Sequence, residues 1–285
     1  MSRLGLAWRI SKIHAVQPAT ALWRVFEVEV VRARLNGGGR ALDLGCGDGS
    51  LATLLFENVS TLEWTGLDLN ERDVSLARHR DVYTSLVVGS AAAIPAADAS
   101  FDLVFSNSAL EHMPALDTVI GEVARVLKPG GRLVFTVPSA SFRGQLLWPR
   151  LLRSVGLASL ARAYVEHIDR RIAHVNYLSA EEWVLLLDRH GLVATSTVPY
   201  LSRNTVAAWE TLSNATGGLA YALVRGRKTP RDIQLASGLL QRPIPGLATL
   251  GFVAMLPFYA LATTDRDGSQ SGALYVEAIK EARAR

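Results

Sequence analysis

Short apolar runs alternate with amphipathic stretches through the first half of the chain. The apolar runs have the length and composition of buried strands, and they lie at 41–44, 62–69, 85–88, 101–107 and 132–137. Helical patterns separate these runs at 51–56, 71–80 and 115–127. Strands that alternate with helices predict a parallel sheet with helices on both faces and right-handed crossovers. Ligands of such a sheet bind at the carboxyl ends of its strands.

Further helices and strands are predicted outside this region. The helical patterns lie at 1–36, 179–190 and 204–264, and the strand patterns lie at 192–198 and 272–280. Pro18 divides the first helical region into two helices. Ser179 and Glu182 have the spacing of a capping box, and Pro230 has the place of a first helical residue.

The first strand leads into a glycine-rich turn, Gly45-Cys46-Gly47-Asp48-Gly49. Glycine has no Cβ, so such a turn adopts positive φ angles and lets a ligand approach the backbone. The N–H groups of the following helix face the same ligand, as in nucleotide-binding units. A dinucleotide-binding turn has the spacing Gly-x-Gly-x-x-Gly, whereas this one has Gly-x-Gly-x-Gly. Carboxylates at Asp43 and Asp48 suit a ligand with an amino group and hydroxyls, and they disfavour a pyrophosphate.

The stretch 41–50, Ala-Leu-Asp-Leu-Gly-Cys-Gly-Asp-Gly-Ser, resembles motif I of the class I S-adenosylmethionine-dependent methyltransferases. The run Leu-Lys-Pro-Gly-Gly at 127–131 resembles the most recognisable turn of that family. The resemblance implies a seven-stranded, mostly parallel, doubly wound α/β sheet, the Rossmann-like methyltransferase fold, with helical lid insertions. It also implies a last strand inserted antiparallel between the fifth and sixth. The cofactor implied is S-adenosyl-L-methionine, with S-adenosyl-L-homocysteine as the product.

The family's pattern assigns a set of cofactor-binding residues in this chain. Asp68 ends the second strand, 25 residues beyond Asp43, where the family has the acid that accepts the ribose hydroxyls. Leu69 is expected against the adenine face. Ser90 stands where the family usually has an acid for the adenine amino group, and a neutral hydroxyl makes a weaker hydrogen bond there. The predicted set is Asp43, Gly45, Cys46, Gly47, Asp48, Asp68, Leu69, Ser90, Ala91 and Asn107.

Methyl transfer to a hydroxyl or to an acidic carbon benefits from a general base, which is most often histidine. His174 is the first candidate, because it lies near Tyr177 in a polar cluster ahead of the sixth strand. His112 and Tyr177 complete the predicted catalytic set. For His112 the alternative role is to order the loop that follows the fourth strand. We predict no metal site, because no His/Cys/Asp group has ligand spacing in the sequence.

We divide the chain into six segments by pattern and composition. They are N-terminal helices at 1–39, a cofactor-binding core at 40–138, a lid segment at 139–178, a helix and sixth strand of the core at 179–203, a helical insertion at 204–271, and the last strand and tail at 272–285. The whole chain carries a net charge of +4, which is too small to indicate nucleic-acid binding. Residues 141–178 hold six arginines against Glu166 and Asp169, so this segment accounts for the entire excess.

A second feature is the run 243–264, which has 22 residues and no charged side chain. A bilayer needs about 20 apolar residues. Prolines and glycines interrupt this run, and a crossing would separate the seventh strand from its sheet. Two alternatives remain. The run is a buried helix that walls the active site, or it joins 141–178 in a lid that rests on an anionic membrane or grips a long apolar substrate. We favour the wall and predict a cytoplasmic protein, because Cys46 is the only cysteine. Peripheral contact with a membrane is the alternative.

These observations predict an S-adenosylmethionine-dependent methyltransferase that acts on a small hydrophobic acceptor by O- or C-methylation with direct in-line transfer. One alternative is a protein that binds the cofactor without transferring its methyl group, such as an adapted cyclase or a binding subunit. A nicotinamide oxidoreductase is a further alternative, and the Gly-x-Gly-x-Gly spacing disfavours it.

Overall fold

The structure, a computed structural model, describes residues 2–59, 61–219, 221, 245–262 and 271–282. The chain forms two compact units. The helical unit comprises the described residues of Met1–Glu29, Ser141–His174 and Tyr200–Gly272. The sheet unit comprises those of Val30–Ala140, Val175–Pro199 and Ala273–Arg285.

The sheet unit is built on seven strands. They are β1 (Gly39–Leu44), β2 (Leu62–Asp68), β3 (Ser85–Val88), β4 (Phe101–Asn107), β5 (Leu127–Pro138), β6 (Leu192–Pro199) and β7 (Ala273–Lys280). Their order in the sheet is β3-β2-β1-β4-β5-β7-β6. The first five strands are parallel, and β7 runs antiparallel to both β5 and β6. The predicted seven-stranded, mostly parallel sheet, with its last strand inserted antiparallel, is confirmed.

Eleven α-helices lie among the described residues. They are α1 (Arg3–Ile13), α2 (Pro18–Arg32), α3 (Ala52–Leu55), α4 (Glu71–Ala77), α5 (Leu116–Val126), α6 (Phe142–Gln145), α7 (Leu147–Ser154), α8 (Ala158–Ile172), α9 (Ala180–Asp188), α10 (Arg203–Ser213) and α11 (Pro245–Leu261). A short 3-10 helix at Leu110–His112 follows β4, and a π-helix at Asn214–Gly218 continues α10.

The core of the sheet unit lies between the sheet and its helices. Strands buried on both faces are apolar on both sides, which explains the continuous runs in β1 and β4. Helix α5 buries Val119, Ile120 and Val123, which recur with helical spacing. In α9, Trp183 is 1% exposed, and its ring centroid lies 4.6 Å from that of Phe135. The capping box of Ser179 and Glu182 at the start of α9 is confirmed.

Polar contacts hold β7 against β5. Arg132 Nε of β5 lies 2.8 Å from Glu277 Oε1 of β7. Lys280 Nζ at the end of β7 donates to the carbonyl of Leu127. These contacts bridge positions far apart in the sequence, so they oppose separation of the last strand from the sheet.

The Leu-Lys-Pro-Gly-Gly run begins directly after α5 ends at Val126, and it lies within the span of β5. Phe101 pairs with Leu127 and Leu103 pairs with Arg132, so residues 128–131 bulge opposite a single residue of β4. That residue is Asp102, whose Oδ1 accepts a hydrogen bond from Lys128 Nζ at 2.8 Å. Long-range pairing with β4 thus places the run within the span of β5, an outcome that local turn chemistry does not specify.

The helical unit has an aromatic core and two buried acids. Trp23, Phe142 and Trp209 pack with their rings edge to face. Glu27 forms an ion pair with Arg24 and accepts the hydroxyl of Tyr200 at 3.2 Å. Glu210 accepts the N–H groups of Leu147 and Trp148 at the start of α7. Each acid therefore has donors that offset the cost of its burial.

The predicted helical insertion is described only in part. Helix α10, the π-helix and α11 confirm helix over 203–218 and 245–261, whereas the predicted helix start at 229–232 lies outside the described residues. Of the charge-free run, α11 covers Pro245–Leu261, and residues 243–244 and 263–264 also lie outside. Across the part of the chain that the structure describes, every helix is too short or too polar to span a membrane.

Candidate cofactor and active site

The glycine turn is attached to the end of β2. Its three glycines, Gly45, Gly47 and Gly49, have φ angles of 80°, 55° and 67°. The N–H groups of Gly45 and Cys46 both donate to the carbonyl of Leu67, at 2.8 and 3.1 Å. The turn therefore lies at the carboxyl edge of the sheet, where β1 and β2 end.

The glycines of the turn serve different purposes. A Cβ on Gly45 would lie 2.6 Å from the Cβ of Ala109, so packing against the loop after β4 requires glycine there. A Cβ on Gly47 would meet nothing within 4 Å. Gly47 therefore borders open space, and its backbone is accessible to a ligand.

Asp68, the last residue of β2, is oriented by two backbone groups. Its Oδ2 accepts the N–H of Gly47 at 2.8 Å, and its Oδ1 accepts the N–H of Asn70 at 2.9 Å. A carboxylate oxygen has more than one acceptor position, so both oxygens of this half-buried group can also accept hydroxyls. Leu69, the next residue, is 76% exposed and offers an apolar surface beside the carboxylate.

Asp43 is buried beneath the turn. Its Oδ2 accepts the hydroxyl of Tyr83 at 2.5 Å. Burial raises the pKa of Asp43 to about 7, and the charge of Asp68 adds to this effect, while the Tyr83 hydrogen bond opposes it. Sequence reasoning missed Tyr83, because it lies 40 positions from Asp43 in a segment without a recognisable motif.

Two further residues of the turn are engaged within it. Asp48 is buried, and its Oδ1 accepts the N–H of Ser50 at 3.1 Å, which stabilises the turn. Burial raises the pKa of the Cys46 thiol, and the charges of Asp43 and Asp68 raise it further. Cys46 is therefore a neutral turn residue, which agrees with the absence of an activating group near it in the sequence.

The remaining predicted cofactor residues follow β3 and β4. Ser90 is exposed, and its Oγ accepts the N–H of Ala92 at 3.1 Å. Ala91 is partly buried against the core. Asn107 ends β4, and its Oδ1 accepts the hydroxyl of Thr136 at 3.1 Å. Because β1 to β4 are parallel, the turn, Asp68, Ser90 and Asn107 all lie at one edge of the sheet.

The three predicted catalytic residues belong to two different units. His112 is exposed and ends the 3-10 helix of the sheet unit. Asn176 Nδ2 donates to the carbonyls of Leu110 and Met113, at 2.9 and 2.7 Å. The segment that contains Tyr177 is thereby held along the turn that carries His112. His174 belongs to the helical unit, where its ring centroid lies 6.4 Å from that of Phe142.

Comparisons with known proteins agree with this geometry. Residues 42–135 match the family model described as a methyltransferase domain. The chain is 46% identical over 100 residues to malonyl-[acyl-carrier protein] O-methyltransferase of Methylococcus capsulatus, covering 34% of this chain and 36% of the relative. It is 38% identical over 101 residues to fatty-acid O-methyltransferase of Mycolicibacterium smegmatis, covering 35% of this chain and 37% of the relative.

The chain thus spans little more than a third of the length of these two curated relatives. Among solved structures, the [4+2]-cyclase SpnF has the same fold, with a TM-score of 0.53 and 22% identity. That likeness covers 92% of this chain and 82% of the cyclase.

We expect the substitution Asp43→Asn to raise the free energy of unfolding more at pH 8 than at pH 5. The Asp43 pKa rises from 3.8 to about 7 on folding, so the folded state keeps this proton over a range where the unfolded state has lost it. The wild type therefore loses stability as the pH rises from about 4 to about 7. Asparagine still accepts the Tyr83 hydroxyl but carries no charge.

Urea unfolding at both pH values measures this difference. The increase in the free energy of unfolding caused by Asp43→Asn should be larger at pH 8 than at pH 5. The difference is on the order of 2 kcal/mol, since one pKa unit corresponds to about 1.4 kcal/mol. Glu63→Gln, which removes an exposed acid from β2, is the matched control and should show no such change. An equal effect of Asp43→Asn at the two pH values would contradict the raised pKa.

Proposed function

We propose that this chain, whose residues 42–135 form a methyltransferase domain of the class I S-adenosylmethionine-dependent family, transfers a methyl group from that cofactor to a small hydrophobic acceptor. The reaction is O- or C-methylation by direct in-line transfer. The observation that carries the proposal is the pairing of Asp68 with the N–H of Gly47 beside the open space of the glycine turn.

The residues at the carboxyl edge suit the chemistry of the cofactor. Asp68 accepts the two ribose hydroxyls, because backbone donors hold both of its oxygens in place. Leu69 contacts the adenine face with its exposed side chain. Ser90 and Ala91 bind the adenine edge, and Asn107 lies toward the methionine part. Asp43 and Asp48 are both buried at the turn, and we assign them to the side of the cofactor's amino group. Asp43 is only partly charged there, because its pKa is raised to about 7.

The bound cofactor supplies a methyl group activated by a sulfonium leaving group. The chain has to bind the acceptor, align it with that methyl group and exclude water, and these tasks rest on proximity and orientation. His174, His112 and Tyr177 are the proposed acid–base and positioning groups. The hydrogen bonds from the Asn176 side chain to the backbone of the 110–113 turn support a role for Tyr177 beside His112.

A hydrophobic acceptor with an acyl or hydroxyl group is the proposed substrate class. The relatives' names support it, since one acts on malonyl-acyl carrier protein and the other on fatty acids. Small-molecule acceptors of this kind fit a chain whose charge gives no sign of nucleic-acid binding. Binding of the cofactor without methyl transfer is the competing function, and the fold also occurs in a cyclase.

We expect Asp68→Asn to weaken binding of S-adenosylmethionine and S-adenosylhomocysteine about 10- to 100-fold. Loss of a charge-assisted pair of hydrogen bonds costs on the order of 1.5–3 kcal/mol. Gly47→Val should abolish binding, because its side chain would enter the space beside the turn and its φ of 55° disfavours a β-branched residue. Isothermal titration calorimetry measures both effects, with Glu63→Gln on the same strand as control. Unchanged affinity of Asp68→Asn would remove Asp68 from the cofactor site.

We expect His174→Ala to lower turnover about 10²- to 10⁴-fold with unchanged cofactor affinity, as is typical for loss of a general base. Formation of S-adenosylhomocysteine from labelled cofactor, with fatty acids and a fractionated lipid extract as acceptors, measures turnover. Tyr177→Phe and His112→Ala are tested in parallel, and His79→Ala is the control. If all three candidates keep full turnover, none of them is a base. Cofactor binding without any product would favour the competing function.

A second proposal is that this protein, located in the cytoplasm, contacts anionic membranes through α7 and α8. Five apolar side chains in and between these helices are 45–69% exposed, namely Trp148, Leu151, Val155, Leu157 and Leu160. Arg153 and Arg162 are exposed on the same two helices. Apolar side chains combined with basic charge are typical of interfacial helices, and each arginine contributes about 1 kcal/mol near an anionic surface.

Co-sedimentation with liposomes tests this contact. We expect binding to vesicles with about 30% phosphatidylserine at low salt and weaker binding to pure phosphatidylcholine, because opposite charges attract over about one Debye length. The double variant Leu151→Glu/Leu160→Glu should lose binding, whereas Leu185→Glu, at a 67% exposed leucine of α9, should retain it. Absence of wild-type binding at low salt would rule out the membrane contact.

A further inference from the structure

The helical unit contains a cavity of about 80 Å³. Its walls include the polar residues Thr20, Arg171 and Ser213 and the apolar residues Ile172 and Trp209. A cavity of this size holds more than one water-sized group. The lining of the cavity combines one cationic side chain with hydroxyl groups and apolar surface. Sites for small polar ligands have this composition.

Arg171 is the unusual member of this wall, because it is 4% exposed and has only neutral partners. Its Nη2 donates to Ser213 Oγ at 2.8 Å, and its Nη1 donates to Asn214 Oδ1 at 3.0 Å. Within the described ranges, no carboxylate lies within ion-pair distance of this guanidinium. A buried charge without a counter-ion is costly, so buried arginines are usually paired.

Glu210, a buried acid whose charge acts on Arg171, is engaged elsewhere. Glu210 accepts the two N–H groups at the start of α7, and it also accepts the hydroxyl of Tyr164. Tyr164 in turn accepts Asn214 Nδ2 at 2.6 Å, so two neutral side chains separate Glu210 from Arg171. Glu210 attracts Arg171 across this network without contacting it, and the pKa of Arg171 is lowered by its burial.

The guanidinium is held in a fixed position. A Cβ on Gly218 would collide with Nη1 of Arg171, so glycine is required for the guanidinium to lie against the backbone there. Gly218 ends the π-helix at Asn214–Gly218, which also supplies Asn214. Short π-helices occur frequently at functional sites. Ser213, Asn214 and Gly218 thus position one face of Arg171 and leave its other N–H donors available.

We propose that this cavity binds a carboxylate through Arg171. Of the five N–H donors of arginine, two are used within the unit, and the hydroxyl of Ser213 also has a proton to donate. A planar guanidinium matches the two oxygens of a carboxylate. One buried cation balances one monoanion, which favours a carboxylate over a doubly charged phosphate. Ile172 and Trp209 contact the apolar part of the acid.

The carboxylate is either a small free acid or the end of an acyl chain, and ligand length separates the two. The test is calorimetric titration of the full chain with acetate, octanoate, inorganic phosphate and the neutral isostere acetamide at constant ionic strength. We expect a carboxylate to bind and acetamide not to bind. Tighter binding of octanoate than of acetate would identify an acyl-chain end, and similar affinities would identify a small acid. Equal response to acetate and acetamide, or tighter binding of phosphate, would overturn the proposal.

Variants connect the binding to Arg171. Arg171→Gln should weaken carboxylate binding at least about 10-fold, and Gly218→Ala should weaken it by displacing the guanidinium. Arg170→Gln, at the exposed neighbouring arginine, is the matched control and should bind as the wild type does. If Arg171→Gln fails to fold, the wild-type preference for acetate over acetamide and the effect of Gly218→Ala still test whether Arg171 binds a carboxylate. Undiminished carboxylate binding by a folded Arg171→Gln variant would overturn the assignment.

Discussion

The attachment of the glycine turn to the end of β2 is the constraint on which the candidate cofactor site depends. Three backbone N–H groups of the turn, from Gly45, Cys46 and Gly47, donate to Leu67 and Asp68. These bonds require a chain that reverses with positive φ angles, which glycine adopts without steric cost. The parallel strands then bring the residues after β3 and β4 to the same edge. The sheet provides the rigid frame, and the turn provides the exposed backbone.

The acids of this site have different roles because their environments differ. Asp68 is half-buried, and two N–H groups donate to it, so its carboxyl group is oriented at the surface of the site. Asp43 lies deeper with the Tyr83 hydroxyl as its donor, and its pKa of about 7 makes it partly neutral under physiological conditions. The two carboxyl groups at neighbouring strand ends therefore differ in their burial and in the donors that reach them.

The helical unit accommodates its buried charges in another way. Glu27 has Arg24 and the Tyr200 hydroxyl, and Glu210 has the N–H groups that begin α7. Arg171 instead has amide and hydroxyl acceptors from the end of α10 and the π-helix. The two acids are satisfied within the unit, whereas the cation lines a cavity and has more N–H donors than its two neutral partners use. This asymmetry is the physical basis for assigning a ligand to that cavity.

The local pattern of the sequence determined the elements and the position of the turn. β3 and β4 begin and end where their apolar runs do, and the capping box of α9 forms as its spacing indicates, because these features depend on residues a few positions apart. The antiparallel insertion of the last strand between the fifth and sixth followed from the family resemblance, whose motifs are also local.

Only the tertiary structure decided which distant groups meet. The pairing of Tyr83 with Asp43, the bulge at 128–131 and the neutral surroundings of Arg171 each join residues about 25 or more positions apart. The spacing of apolar residues in the sequence does not indicate such a contact, since the contact depends on how strands pair and helices pack. The Leu-Lys-Pro-Gly-Gly run, which resembles a recognisable turn of the family, belongs to β5 for this reason. Local chemistry specifies which groups are present, and packing determines their partners and their charge.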